Sequence, residues 1–242
     1  MIHWIAYAYQ LASGNTQWVK PYIPALQKFA DYLVDNGLYP AKQQSSIDSI
    51  GATANQTVLA MYAAIGLTSF GALTGLENYT AVGKSFVPVI LELGTDPEKT
   101  HFMAHYNDDS SSWVSTYPFA YDKMLRLGTF NESTYAMQSK WYEGELHTYG
   151  MQLFSGVTYA VGSLVSWCAA TSSNSVRSGL LNGIHAFITD GMNNEPGPGL
   201  WFVTGPMEGQ WRSNIAKSTC GSYFMPAAVH MHFRRSSQPR RA

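Results

Sequence analysis

Apolar positions recur at helical spacing through most of this chain, and the interruptions between them are polar. Val19, Tyr22, Ile23, Leu26, Phe29, Ala30, Leu33 and Val34 follow a 3.6-residue period that stops at Gly37, a residue type that ends helices. Pro21 and Pro24 place the firm start of that helix in its first turn. Residues 54–74 are apolar on nearly every face, which predicts an inner, buried helix. Residues 78–93 supply its outer partner, with Pro88 expected to bend it. Further helices are predicted at about 117–127, 131–142, 149–170 and 173–190, and alternation at 100–106 and 198–204 leaves room for short strands.

The connections sort by length. Short turns join the members of each helix pair, whereas the long segments 37–53, 94–116 and 191–217 fall between pairs. That arrangement describes an all-α toroid of helix hairpins with its binding site on the long-loop face. Four to five pairs are counted where a closed (α/α)6 toroid needs six, so the expected fold is an incomplete toroid. Residues 1–9 read as the middle of a helix with no Ser, Asp or Asn cap ahead of them, so the N-terminus is expected to be incomplete. An open edge of such a toroid would expose inner helices and invite association. No linker or repeat divides the chain, so residues 1–229 are read as one domain and 230–242 as a basic, disordered tail.

Charge enters here. The net charge is −1, yet Arg234, Arg235, Arg240 and Arg241 crowd the last nine residues, leaving a body of about −5. The tail lacks a folded basic face, so no nucleic-acid partner is expected. Leu146–Val176 contains no charged residue, but Gln152, Ser155, Thr158, Ser163 and Ser166 interrupt it, which argues for a protein-buried helix and against a membrane span. Cys168 and Cys220 are too few for a disulfide framework, and Cys168, in an apolar run, reads as an inert buried thiol. Sequons stand at Asn55, Asn78 and Asn131, the last two at hairpin ends, where glycans are expected. The opening residues read as helix with no basic n-region or small-residue cleavage site, so no signal peptide is expected within them.

Candidate chemistry concentrates between Tyr106 and Tyr142. Asp108 and Asp109 lie in a polar loop where one carboxylate could act as acid or base, the alternative being an Asx turn. Trp113 sits in the same loop and offers a stacking face for a planar group or sugar. His147 and Tyr149 stand at the start of the uncharged helix, where an imidazole and a helix N-terminus could polarise an oxygen. His101 and His105 are four apart but lack the helical zinc motif's glutamate, so no metal site is expected. His230 and His232 are discounted alike. No nucleotide, dinucleotide or GxSxG motif occurs, and no cofactor is expected.

The stretch Tyr106–Tyr142 resembles the central and C-terminal region of fungal glutaminase A-like proteins, whose pattern runs YGDSSSWG, NLYADKLLGL, VYDMQSNFY. Residues 31–43 resemble that family's SYLVEDSLIPANQ, Ala54-Asn55-Gln56-Thr57 its ANQT, and His147-Thr148-Tyr149 its HTY. The collinear set spans about residues 1–229. The resemblance implies a secreted, extracellular protein that hydrolyses L-glutamine to L-glutamate and ammonia. It implies catalytic roles among Asp108, Asp109 and His147, and substrate binding by Asp48, Asn55, Trp113 and Tyr149. Around His147 the chain departs from the family's LDTRHTYTKSDWE, placing Leu146, Leu153, Phe154 and Ser155 where the family has charged or aromatic groups, so this chain alone is expected to lack activity. A carbohydrate-active hydrolase on the same toroid, with a saccharide as substrate, and a non-catalytic fragment are the alternatives.

Overall fold

The computed structural model describes residues 2–44, 50–197, 199–213 and 218–229. The chain is mostly helical, with two small antiparallel sheets, and it divides into two compact units. Unit 1 comprises 1–110 and 121–131, unit 2 comprises 111–120 and 132–242.

Unit 1 is built around α3 (Thr57–Thr74), of whose 18 residues Val58, Ala60, Met61, Ile65, Leu67 and Phe70 are essentially inaccessible. The helix is apolar on all sides because it is packed on all sides. It is long and apolar enough to cross a bilayer, but 78% of it is buried inside the protein, as in a core helix. α4 (Glu77–Gly94) returns along it, with Pro88 inside the helix. Their seam is tight because glycines line it: a Cβ on Gly83 would lie 2.6 Å from the Ala64 carbonyl oxygen, and one on Gly71 would meet the Thr80 hydroxyl and amide.

α1 (Ile2–Ser13) packs on α3 and buries His3, Trp4 and Ala6. Neutral His3 donates from Nε2 to the Leu26 carbonyl at 2.9 Å, and burial lowers its pKa. Ile2, Ile5, Tyr9, Tyr22, Phe29 and Tyr32 remain exposed. The apolar side chains left open in unit 1 thus lie mainly on the first helices, while the inner helix predicted at 54–74 is buried as α3.

A 3-10 turn at Lys20–Tyr22 leads into α2 (Ile23–Asn36), where Pro21 and Pro24 fit the first turns because their missing N–H groups have no helical partner to lose. Gly37 ends α2 as expected, in right-handed conformation at φ −80°, so left-handed freedom is not what requires glycine there. It is needed for close approach, since a Cβ there would lie 2.6 Å from that of Ala63 on α3.

α5 (Phe119–Leu125) carries the chain from one unit to the other. Its Asp122, fully buried, accepts N–H bonds from Thr129 (3.0 Å) and Phe130 (2.8 Å) and closes the turn that holds Arg126 and Gly128 at positive φ.

In unit 2, α6 (Glu132–Tyr142) is followed not by the helix predicted at 149–170 but by an irregular segment, a strand β3 (Tyr159–Val161) and a shorter helix α7 (Gly162–Thr171). The absence of charge marks burial at Gly150, Met151, Leu153, Tyr159 and Ala160, where extended backbone provides it, whereas Ser155, Gly156 and Thr158 are exposed. Ser115 N–H bonds to Leu153 O, Ser155 N–H to Trp113 O, and Leu153 N–H to Tyr159 O. Gly150 has φ +103°, and its backbone passes so near Gly183 that a Cβ on the latter would meet it at 2.2 Å. A helix through Gly150 could not make that approach.

β3 pairs with β4 (Leu200–Phe202), which pairs with β5 (Trp211–Ser213), all antiparallel. α8 (Asn174–Thr189) starts at Ser173, whose hydroxyl accepts from Val176 N–H, and it packs against α7. Arg177 braces the end of α7 through Ala169 O and Ser172 O. Cys168 is fully buried, accepts a 3.7 Å hydrogen bond from the Tyr142 hydroxyl, and is pushed up by burial to about 12, so it is the inert thiol expected.

Candidate functional site

The long connections of unit 1 meet each other. β1 (Gln43–Gln44) and β2 (Ala52–Thr53) form a two-stranded hairpin, and the chain that follows, 55–57, runs antiparallel to 104–106. Gln56 and His105 form the bridge, Thr57 N–H bonds to Ala104 O at 3.1 Å, and Tyr106 N–H bonds to Asn55 O at 2.9 Å. Buried Gln56 locks the hairpin by donating from Nε2 to Gln43 O, Gly51 O and Thr53 O, all at 3.0–3.1 Å. Tyr106 ties the second loop down through Leu38 O at 3.0 Å, and burial pushes its phenol well above the ordinary range.

This pairing brings three side chains together. Asp108 Oδ2 lies 3.3 Å from His105 Nδ1, and His105 Nε2 lies 2.8 Å from Thr53 Oγ1. The His105 and Asp108 side chains are 30% and 31% exposed, so the cluster opens to solvent. A carboxylate only accepts, so Nδ1 carries the proton and, in the neutral ring, Nε2 accepts the Thr53 hydroxyl. Asp109 is exposed, and its N–H turns back to Asp108 Oδ1 at 3.0 Å.

A second histidine–carboxylate pair in the same loop is closed where the first is open. Asp96 is 4% exposed and accepts Thr100 N–H (2.6 Å), His101 N–H (2.9 Å) and the Thr100 hydroxyl (3.0 Å). Burial alone would raise its pKa, but these bonds and the His101 ring at 3.5 Å outweigh it and hold the carboxyl below its usual range. His101 thus finishes a buried turn. His101 and His105 have different carboxylate partners, and among the described residues no three His, Cys, Asp or Glu side chains converge as a metal site would require.

The other sequence candidates fare differently. Asp48 lies outside the described residues, as do His230, His232 and the basic tail. Asn55, expected inside a buried cavity helix, is exposed just ahead of α3 at φ +57°. Its amide hydrogen bonds to Pro40 O and its carbonyl accepts from Tyr106, so its backbone carries the loop pairing. Trp113, expected to offer a stacking face, is only 3% exposed and lies in the ladder with Ser155, as a core residue of unit 2. Polar neighbours in sequence did not keep it at the surface, because Val114 pairs with Phe154 and draws the chain inward.

His147 and Tyr149 belong to unit 2. They do not begin a helix: His147 is exposed in a tight turn with reciprocal backbone bonds to Gly150. Tyr149 is half-buried, its carbonyl accepts Trp201 Nε1 at 2.8 Å, and burial together with Asp190 raises its phenol pKa. Leu146 and Leu153, which replace charged groups of the resembled pattern, are packing residues here, Leu146 against Gly179 and Leu153 buried. Asn78 in the first turn of α4 and Asn131 ahead of α6 are both exposed. Sequence reasoning missed Thr53 entirely and considered His105 only as a metal ligand. The signal available was the ANQT motif directly after Thr53, which fixes that hydroxyl at a loop–helix junction.

Comparison with known proteins agrees with the helical-hairpin reading. The pattern described as the Glutaminase A six helical-hairpin domain matches residues 1–227. Glutaminase A of Aspergillus oryzae is 28% identical over 182 residues, covering 72% of this chain and 26% of that protein. A protein of Arthroderma benhamiae named "Probable glutaminase" is 23% identical over 214 residues, covering 74% of this chain and 25% of its own length. The chain therefore spans about a quarter of the length of these relatives. With a family match over nearly its whole length, the chain belongs to the glutaminase A family, through its six helical-hairpin domain.

Proposed function

We propose that this chain forms part of a secreted glutaminase that hydrolyses the side-chain amide of L-glutamine to L-glutamate and ammonia. In that reading its helix pairs are hairpins of an (α/α)6 toroid, and the paired long loops of unit 1 carry the site. The observation that carries the proposal is the open cluster of Asp108, His105 and Thr53. An imidazole whose Nδ1–H is held by a carboxylate presents a basic Nε2, and such a group can take a proton from an attacking hydroxyl and return it to departing ammonia. Exposed sequons at Asn78 and Asn131 fit passage through a glycosylating secretory route.

The test is ammonia release from L-glutamine by the 242-residue chain and by an Asp108→Asn, Asp109→Asn double variant. Release by the parent that falls on the order of 100-fold in the variant supports the reading. Equal release from both refutes the acidic loop as the site. A second reading, a piece with no turnover of its own, is favoured by Leu146 and Leu153, which pack as apolar residues where the family pattern has charges. Absence of ammonia from a well-folded parent selects it. The burial of Trp113 favours the amide over the saccharide as substrate.

A further inference from the structure

Two histidine–aspartate pairs lie within one loop of unit 1, and they differ in what else touches the ring. His101 is buried, sits against Asp96 and Thr100, and completes the turn that follows α4. His105 is open to solvent and has a carboxylate on one ring nitrogen and an alcohol on the other. A hydroxyl within 2.6–3.2 Å of a base, with that base oriented by a third group, is the general signature of an activated nucleophile. At 2.8 Å, Thr53 Oγ1 meets it.

We propose that Thr53 is the nucleophile of this site and His105 its general base, with Asp108 positioning the ring, and that the site takes the acyl group of a primary carboxamide. The inference rests on the glutaminase reading for its substrate, and on the geometry alone for its nucleophile. Thr53 Oγ1 attacks the amide carbonyl carbon as its proton passes to His105 Nε2. The C–N bond breaks, the proton goes to the leaving nitrogen, and ammonia departs to leave an ester on Thr53. Water then attacks the ester with His105 as base, releasing the carboxylic acid and restoring the hydroxyl. Asp108 Oδ2 holds the Nδ1 proton and stabilises the imidazolium formed in each half-reaction.

The surrounding backbone suits the role. Thr53 ends a strand that is paired to Gln43, and its own carbonyl is held by buried Gln56. His105 is fixed on the opposing segment by the bridge to Gln56 and by its neighbours' bonds to Thr57 and Asn55. The two reacting side chains are thus carried on extended segments bound to each other, which keeps the hydroxyl–imidazole distance set before substrate arrives.

The experiment treats the full chain with a diazoketone analogue of L-glutamine and, separately, with a p-nitrophenyl ester, then maps adducts by peptide mass spectrometry while measuring ammonia release from glutamine. Loss of dinitrogen from the diazoketone should leave an ether on Thr53 Oγ1. Thr53→Val should abolish the adduct, Thr53→Ser should retain it, and His105→Gln or Asp108→Asn should slow its formation on the order of 100-fold. Circular dichroism and the urea midpoint of each variant check that it is folded. Glutamine turnover that survives Thr53→Val but not His105→Gln overturns the nucleophile and leaves the glutaminase reading standing. An ester adduct on Thr53, without diazoketone adduct or ammonia, keeps the nucleophile and removes glutamine as its substrate. Folded chain with no adduct on Thr53 from either reagent overturns the proposal.

Discussion

Replacing Asp122 by alanine is expected to destabilise unit 1 by about 3–4 kcal/mol. The carboxylate is 1% exposed and accepts N–H bonds from Thr129 at 3.0 Å and Phe130 at 2.8 Å, both on residues that are themselves buried. A hydrogen bond to a charged group contributes about 1.5–3 kcal/mol net, and a donor left bare in the interior costs about 1–3 kcal/mol. Two such donors set the gross loss at roughly 3–6 kcal/mol. The adjoining Arg126 and Gly128 are exposed, so water can reach part of the turn and the lower half of that range applies. Asp122→Asn keeps one acceptor oxygen but turns an amide N–H₂ toward a donor, so about 2 kcal/mol is expected. Urea unfolding followed by circular dichroism reads the effect: with a slope of about 2 kcal/mol per molar, the alanine midpoint should fall by roughly 1.5–2 M. Amide exchange at Thr129 and Phe130 should accelerate in parallel. Exposed Asp35 on α2 serves as control, and its alanine variant should unfold with the parent. An Asp122→Ala midpoint within about 0.2 M of the parent would show that these two bonds are replaced by water without loss, and would refute the reasoning.

Gly83→Ala should cost about 2–3 kcal/mol, because its Cβ would lie 2.6 Å from a backbone oxygen that cannot move without separating α3 from α4; an unchanged melting temperature would contradict this. Asp96 has a lowered folded-state pKa, so its contribution is complete above the unfolded value of about 4 and is lost as pH falls below it. Asp96→Asn should therefore flatten the acid limb of a stability–pH curve, and a parallel limb would sink the assignment. Trp113→Ala should lower stability by about 3–5 kcal/mol, as a core truncation, and a variant of parental stability would restore it as a surface platform. Glycopeptide mapping after secretion from a eukaryotic host should find glycan at Asn78 and Asn131, and both sites empty would count against the secreted reading.

Long periodic segments were legible in the sequence because burial imposes their pattern. The all-round apolar run at 54–74 emerged as α3, and the 173–190 prediction ended within a residue of α8, whose start Ser173 marks chemically. The run after Tyr149 misled because freedom from charge does not report backbone geometry; Gly150 and Gly156 were the overlooked breakers. Trp113 misled for the converse reason. Local polarity in Ser110–Ser112 outweighed, on paper, a backbone ladder to Phe154 that lies about forty residues away in sequence. The Thr53–His105 pair was illegible for the same cause, since a separation of 52 residues is bridged only by the folded loops.

Cys168 gives unit 2 a clock. With its thiol pushed up to about 12, only about one molecule in 10⁴ would hold a thiolate at pH 8, and the sulfur has no path to solvent while α7 is packed. A thiol reagent can therefore react only during moments of opening, and at reagent concentrations where labelling outpaces reclosing its rate counts those moments. With Cys220 replaced by serine, the time course of a single labelling reaction becomes a measure of how often this half of the protein comes apart, obtained under native conditions and without denaturant.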